Sequence, residues 1–145
     1  MMNRRDRPTS PLLAHRLALA ASLIFLIPLG YWVRFFAPVP GWVRDWAGSV
    51  CYEIFWIALV ALILPRVAPI KVAIAIFLAT CFIEVLQLWR SPFWQAVRAT
   101  VPGRLVFGNT FRWGDFLHYL LGSWLGWLWI RWLAVRLQIQ SRGDR

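Results

Sequence analysis

The chain has 145 residues, a single-domain length, of which 60% are AVILMFWYC and 15% are charged, against about 25% charged in soluble domains. A chain this short cannot bury so much apolar surface in a water-facing globule, and its mean hydropathy of +0.58 agrees. A soluble enzyme, a disordered chain and a disulfide-stapled secreted module are thereby excluded, which leaves an all-α, polytopic membrane protein.

Residues 1–11 form a basic tail holding Arg4, Arg5 and Arg7. Leu12–Val33 is the first apolar stretch. It is longer than the apolar core of a secretory signal and no small-x-small site follows it, so an uncleaved span is expected. Pro38, Pro40 and Gly41 mark the connector 34–46. Ala47–Leu64 and Ile70–Trp89 are the second and third stretches, parted at Pro65-Arg66. Residues 90–113 form the longest connector, and Gly114–Val135 is the fourth stretch, ahead of the polar tail 136–145. At a rise of about 1.5 Å per residue each stretch matches a hydrocarbon core about 30 Å thick. A helix also satisfies its own backbone in lipid. Four transmembrane helices in one membrane domain, 12–135, are therefore expected.

The long connector carries its own signals. Ser91 is suited to an N-cap and Pro92 to a first helical position. Phe93, Trp94, Val97 and Val101 recur at helical spacing with Gln95 and Arg98 off that stripe. This predicts a short amphipathic interfacial helix, ended by Pro102-Gly103. The apolar run Leu105-Val106-Phe107-Gly108 then makes a re-entrant loop a candidate.

The net charge is +10. In a soluble chain that would point to nucleic acid. Here the basic residues punctuate apolar stretches as juxtamembrane anchors do, and no nucleic-acid partner is expected. The side carrying the tails collects Arg4, Arg5, Arg7, Arg16, Arg66, Lys71, Arg131, Arg136, Arg142 and Arg145. The other side holds Arg34, Arg44, Arg90, Arg98, Arg104 and Arg112. That asymmetry predicts both termini in the cytoplasm. Trp32, Trp42, Trp46, Trp89, Trp94 and Trp113 sit at span ends on the less basic side, as an aromatic belt does. Cys51 and Cys81 fall in apolar stretches and read as buried thiols.

The acids carry the most information. Apart from Asp6 and Asp144 in the tails they are Asp45, Glu53, Glu84 and Asp115. Spans two and four begin where span three ends, so all four lie toward one face. Gln87 follows Glu84 at i+3, and His118 follows Asp115 at i+3. Ionisable groups within spans face the bundle interior and are candidate functional residues. The candidate binding set is Glu53, Glu84, Gln87, Arg98, Asp115 and His118. Plainer roles stand beside it: an ion pair with Arg for Glu53 or Glu84, a helix-dipole contact for Asp115, and a hydrogen-bonded core position for His118. Gly122-x-x-x-Gly126 lets another helix approach, within the chain or in a dimer. No zinc spacing, nucleophile elbow, Walker A or dinucleotide motif is present, so no metal, cofactor or catalytic residue is assigned.

Glu84-x-x-Gln87, Arg98-x-Thr100, Leu105-Val106-Phe107-Gly108, Phe111-x-Trp113-x-Asp115 and Gly122-x-x-x-Gly126 together resemble domain of unknown function family 2809 (DUF2809). These are small multi-span bacterial membrane proteins similar to the VanZ-like group. VanZ-like proteins are similar in a Glu-x-x-Gln, a later Arg, and an Asp followed by spaced glycines. Glu84, Gln87, Arg98, Asp115, Gly122 and Gly126 match that pattern, while Tyr119 stands where such proteins often have Asn. The resemblance implies a multi-pass protein of the bacterial inner membrane. Membrane lipids, and a lipid-linked cell-envelope precursor among them, are the expected partners. The first functional reading is non-enzymatic: an outward-facing acidic and Arg cluster binds a headgroup, Arg meeting phosphate. The alternatives are a membrane enzyme with Glu84 or Asp115 as general base, a small permease, and an assembly partner with no site.

Overall fold

The computed structural model describes residues 11–108 and 110–137. The basic tail through Ser10 and the polar tail from Gln138 lie outside the described residues. The described chain is all-helical, with α1 over Pro11–Phe35, α2 over Gly41–Ile63, α3 over Pro69–Leu86, α4 over Pro92–Ala99, α5 over Val101–Phe107 and α6 over Asp115–Arg136. Helices α1, α2 and α3 are long and apolar enough to cross a membrane. With 22 residues α6 is of similar length, but Asp115, His118, Arg131 and Arg136 lower its hydropathy and it does not join them.

Side-chain contacts give the directions. Gly122 of α6 abuts Glu53 of α2, and Gly126 abuts Ile57 one turn further along both helices, so α2 and α6 run parallel. Gly30 meets Cys51, and Arg34 at the end of α1 pairs with Asp45 near the start of α2, so α1 runs against α2. Glu84 in the last turn of α3 meets Tyr119 in the second turn of α6, so α3 runs against α6. Helix α2 packs most extensively on α6 and α1, and α3 lies against both α6 and α2.

The bundle has two unlike halves. One is apolar: Leu19, Leu23, Ile57, Ala58, Ala61, Val72, Ala73, Ile130 and Leu133 form a closed core. Alanines at 58, 61 and 73 let the helix axes approach. The other half is polar within, holding Glu53, Glu84, Gln87 and Ser123, all buried. The outer surface is apolar, with Phe25, Leu78, Phe82, Leu117 and Val135 all exposed. Contiguous apolar exposure of this kind is a liability in water and the ordinary exterior of a helical bundle in lipid.

Three boundaries differ from the expectation, for local reasons. Helix α2 begins at Gly41 rather than Ala47, directly after Pro40 in extended conformation. Arg44 and Asp45 thus belong to a polar first part of the helix, which an apolar window does not register. Helix α3 stops at Leu86, three residues before Trp89, and Gln87 is its cap. The short helix does begin at Pro92, with Ser91 Oγ accepting from the Trp94 N–H at 3.4 Å. It ends at Ala99, however, and Pro102-Gly103 does not terminate it. Those residues lie in the first turn of α5, where Thr100 Oγ1 caps the Gly103 N–H at 3.1 Å. Proline is tolerated in a first turn because its missing N–H has no partner to lose there. A Cβ at residue 103 would meet Val97 O at 1.9 Å, so the α4–α5 corner requires glycine.

Candidate functional site

Glu84 is the hub of the polar half. It is only 1% exposed. Its Oε2 accepts from Gln87 Nε2 at 2.8 Å and from the Tyr119 hydroxyl at 3.0 Å. Its Oε1 accepts from the Arg112 backbone N–H at 2.7 Å. One carboxylate thus joins the end of α3, the segment before α6, and α6 itself. The i+3 relation of Glu84 and Gln87 puts the two on one helix face. The cost of burying this charge is offset by donors rather than by a cation. Among the described residues neither Glu84 nor Glu53 forms an ion pair with Arg.

Glu53 is fully buried, and its Oε1 accepts from Ser123 Oγ at 2.6 Å. The neighbouring Gly122 makes that reach short: a Cβ there would lie 2.6 Å from Glu53 Cβ. Asp115 and His118 pair with each other, Oδ1 to Nδ1 at 3.1 Å, in a half-buried position one turn apart on α6. The two buried glutamates therefore lie inside the bundle, each held by hydrogen bonds from neighbouring helices or the segment before α6. No group of three His, Cys, Asp or Glu side chains placed to hold a metal ion occurs among the described residues.

Asp45 ties the outer layer together. Arg34 and Arg112 each donate to one of its carboxylate oxygens. The carboxylate in turn raises the pKa of the Arg112 guanidinium above its ordinary value. Arg112 thus holds α2 through its side chain and α3 through its backbone. Tyr52 donates to Val106 O at 2.7 Å and anchors α5 to α2. Gly108 has φ +63°, and a Cβ there would meet Gln87 Nε2 at 2.8 Å. Glycine is the residue that accepts this left-handed conformation without strain, and it lets the chain pass directly over Gln87.

Arg98 does not approach Glu84. Its Nη2 donates to Leu86 O at 2.7 Å, a carbonyl near the end of α3 that also accepts from the Trp89 N–H at 3.0 Å. From there it lines an open basin of about 810 Å³ with Gln87, Arg90, Gln95, Arg104, Thr110 and Phe111, among others. Among the described residues no carboxylate lines this basin. Among the described residues, none of Arg90, Arg98 and Arg104 pairs with an acid. Of the six candidates, then, Gln87 and Arg98 share an accessible surface, Glu84 supports it from behind, and Glu53, Asp115 and His118 lie away from it. Sequence reasoning did not single out Arg90, Arg104, Tyr119 or Ser123 as site residues. The i+4 relation of Tyr119 to Asp115 and of Ser123 to Tyr119, on the acid-bearing face of α6, was the available signal.

These features define a class: an all-helical bundle with an apolar exterior, a hydrogen-bonded carboxylate inside one half, and an arginine-lined basin at that end. The family described as Protein of unknown function (DUF2809) matches residues 39–123, more than half of the chain, and the chain belongs to it. The matched segment runs from the connector before α2 into α6. It contains the buried glutamates with their partners and the whole basin. No curated protein and no solved structure matches the chain.

Proposed function

We propose that this protein is a four-span, VanZ-like component of the bacterial inner membrane that binds, without catalysis, the anionic headgroup of a membrane lipid or lipid-linked envelope precursor. The observation that carries the reading is the basin: three arginines without an acidic partner among the described residues, around one open volume at the end of a bundle with an apolar exterior. Arginine forks match phosphate oxygens in geometry and charge. In this reading Gln87 and Arg98 meet the ligand and Glu84 holds Gln87 in place. Glu53 with Ser123 locks α2 to α6, and Asp115 with His118 orders the start of α6. Helix α6 is the fourth span, and α4 lies in the interface with Phe93 toward lipid, 67% exposed.

The test is lipid retention by the full chain, released from mild detergent in a native mass spectrometer. The wild type is expected to carry an anionic phospholipid or isoprenoid phosphate. Arg90→Gln with Arg104→Gln, both exposed, is expected to reduce occupancy roughly tenfold or more, since a hydrogen bond to a charged group contributes about 1.5–3 kcal/mol. A wild type that carries no anionic lipid, or a double variant that carries as much, would overturn the reading.

Topology gives a separate check. Reporter fusions after Arg66 and Arg145 are expected on the cytoplasmic side, and one after Gly103 on the periplasmic side. A periplasmic signal from Arg145 would reverse the orientation.

A further inference from the structure

We propose that the basin selects a phosphate ester whose alcohol bears a free hydroxyl, as in a glycerol or sugar phosphate headgroup; this rests on the anion-binding reading above and narrows its ligand. The argument turns on which way Gln87 faces. A carboxylate only accepts hydrogen bonds, so the Gln87 amide must turn its NH₂ end to Glu84 Oε2, 2.8 Å away. Its Oε1 is then an acceptor, itself buried and without a partner among the described residues, in a side chain that is 8% exposed and lines the basin. Arg98 Nε is likewise buried and without a partner, while Arg98 Nη2 is held by Leu86 O. The basin therefore has positively charged donors at its wall and, just beneath that wall, one fixed, neutral acceptor that a ligand reaches by displacing its cover.

An ionised phosphate supplies acceptors for the arginines but no proton for Gln87 Oε1. A second group on the ligand must donate to it. An ammonium could, but three guanidiniums repel it and, among the described residues, no carboxylate lines the basin to balance its charge. A hydroxyl donates without that penalty. Leu88, exposed, and Ala99 and Phe111 beside it line the basin with apolar surface suited to acyl chains. The same phosphate-plus-hydroxyl chemistry exists in soluble glycerol phosphate, so the two sources need separate arms in the test.

The experiment uses the full chain in phosphatidylcholine nanodiscs doped with equal fractions of phosphatidylglycerol or phosphatidylmethanol. These two carry the same charge and the same phosphodiester, and only the first has free hydroxyls. Bound lipid is counted by native mass spectrometry, with and without added sn-glycerol 3-phosphate. Phosphatidylglycerol is expected to be retained roughly tenfold over phosphatidylmethanol, the discrimination typical of leaving one buried polar group unpaired. Gln87→Met, of similar shape but without an acceptor, is expected to bring that ratio to about one. Arg90→Gln with Arg104→Gln is expected to lower both lipids together. Displacement of phosphatidylglycerol by sn-glycerol 3-phosphate supports the inference with a soluble source, and resistance supports it with a lipid one. Equal retention of the two lipids by the wild type, both above phosphatidylcholine, overturns the hydroxyl preference and leaves the anion reading standing. Retention of neither overturns both. Because the wild-type ratio is itself the readout, the inference stays testable if Gln87→Met does not fold.

Discussion

Gly122→Ala is expected to destabilise the detergent-solubilised protein more than either Gly126→Ala or Gly48→Ala. A Cβ at residue 122 would lie 2.6 Å from Glu53 Cβ, 3.0 Å from its Cγ and 3.1 Å from Val50 O. Two of these are near-backbone atoms that cannot step aside, so α2 and α6 must separate. Overpacking of that kind costs about 1–3 kcal/mol. Separation also lengthens the 2.6 Å Ser123–Glu53 bond, and a buried carboxyl that loses its donor costs about 1–3 kcal/mol more. At residue 126 the nearest atom is Ile57 Cδ1 at 3.0 Å, a terminal methyl that can rotate away. At residue 48 nothing lies within 4 Å, and alanine there relieves the entropic cost of glycine in a helix. The measurement is thermal denaturation of the three variants side by side. If Gly122→Ala proves as stable as Gly48→Ala, the close approach of α2 and α6 is wrong.

Glu84→Ala is the second change with a large expected effect. It strands three donors at once: the Arg112 N–H, the Tyr119 hydroxyl and the Gln87 NH₂ group. A buried donor left unpaired costs about 1–3 kcal/mol, so a loss of about 3 kcal/mol or more is expected. A double-mutant cycle separates this network from simple loss of packing. Tyr119→Phe alone removes one hydrogen bond and costs about 1 kcal/mol. In the Glu84→Ala background the same change removes a stranded hydroxyl, and is expected to be neutral or stabilising. The coupling is thus about 1 kcal/mol, read from denaturation midpoints of the four proteins. Additive effects would mean that the Tyr119–Glu84 bond contributes nothing. Arg98→Gln is expected to add independently to Glu84→Ala, because Arg98 bonds to Leu86 O and not to the carboxylate.

Much of the architecture is legible along the chain. Apolar windows and prolines place the long helices, because membrane-length hydropathy is a local property of consecutive residues. Ser91-Pro92 marks the start of α4, since a cap and a first-turn proline act within one turn. Glu84 and Gln87 are readable as neighbours because i and i+3 share a helix face. The direction of each helix also follows, and with it the gathering of Glu53, Glu84 and Asp115 toward one end.

The partners of those acids are a different matter. Which donor meets a carboxylate depends on helix rotation and axial offset. Helices that are apolar nearly all round carry little sequence signal for either. Only the packed bundle sets Tyr119 and the Arg112 backbone on Glu84, and Ser123 on Glu53. It turns the glutamates inward and leaves the arginines outside. Arg90, Arg98 and Arg104 come from the connector after α3, from α4 and from α5, and they meet in one basin only because Thr100 and Gly103 fold α5 back on α4. Charge and hydropathy are properties of the chain read in order, whereas a binding surface is a property of segments brought side by side. That is why the membrane character could be read from composition, and the basin only from the folded bundle.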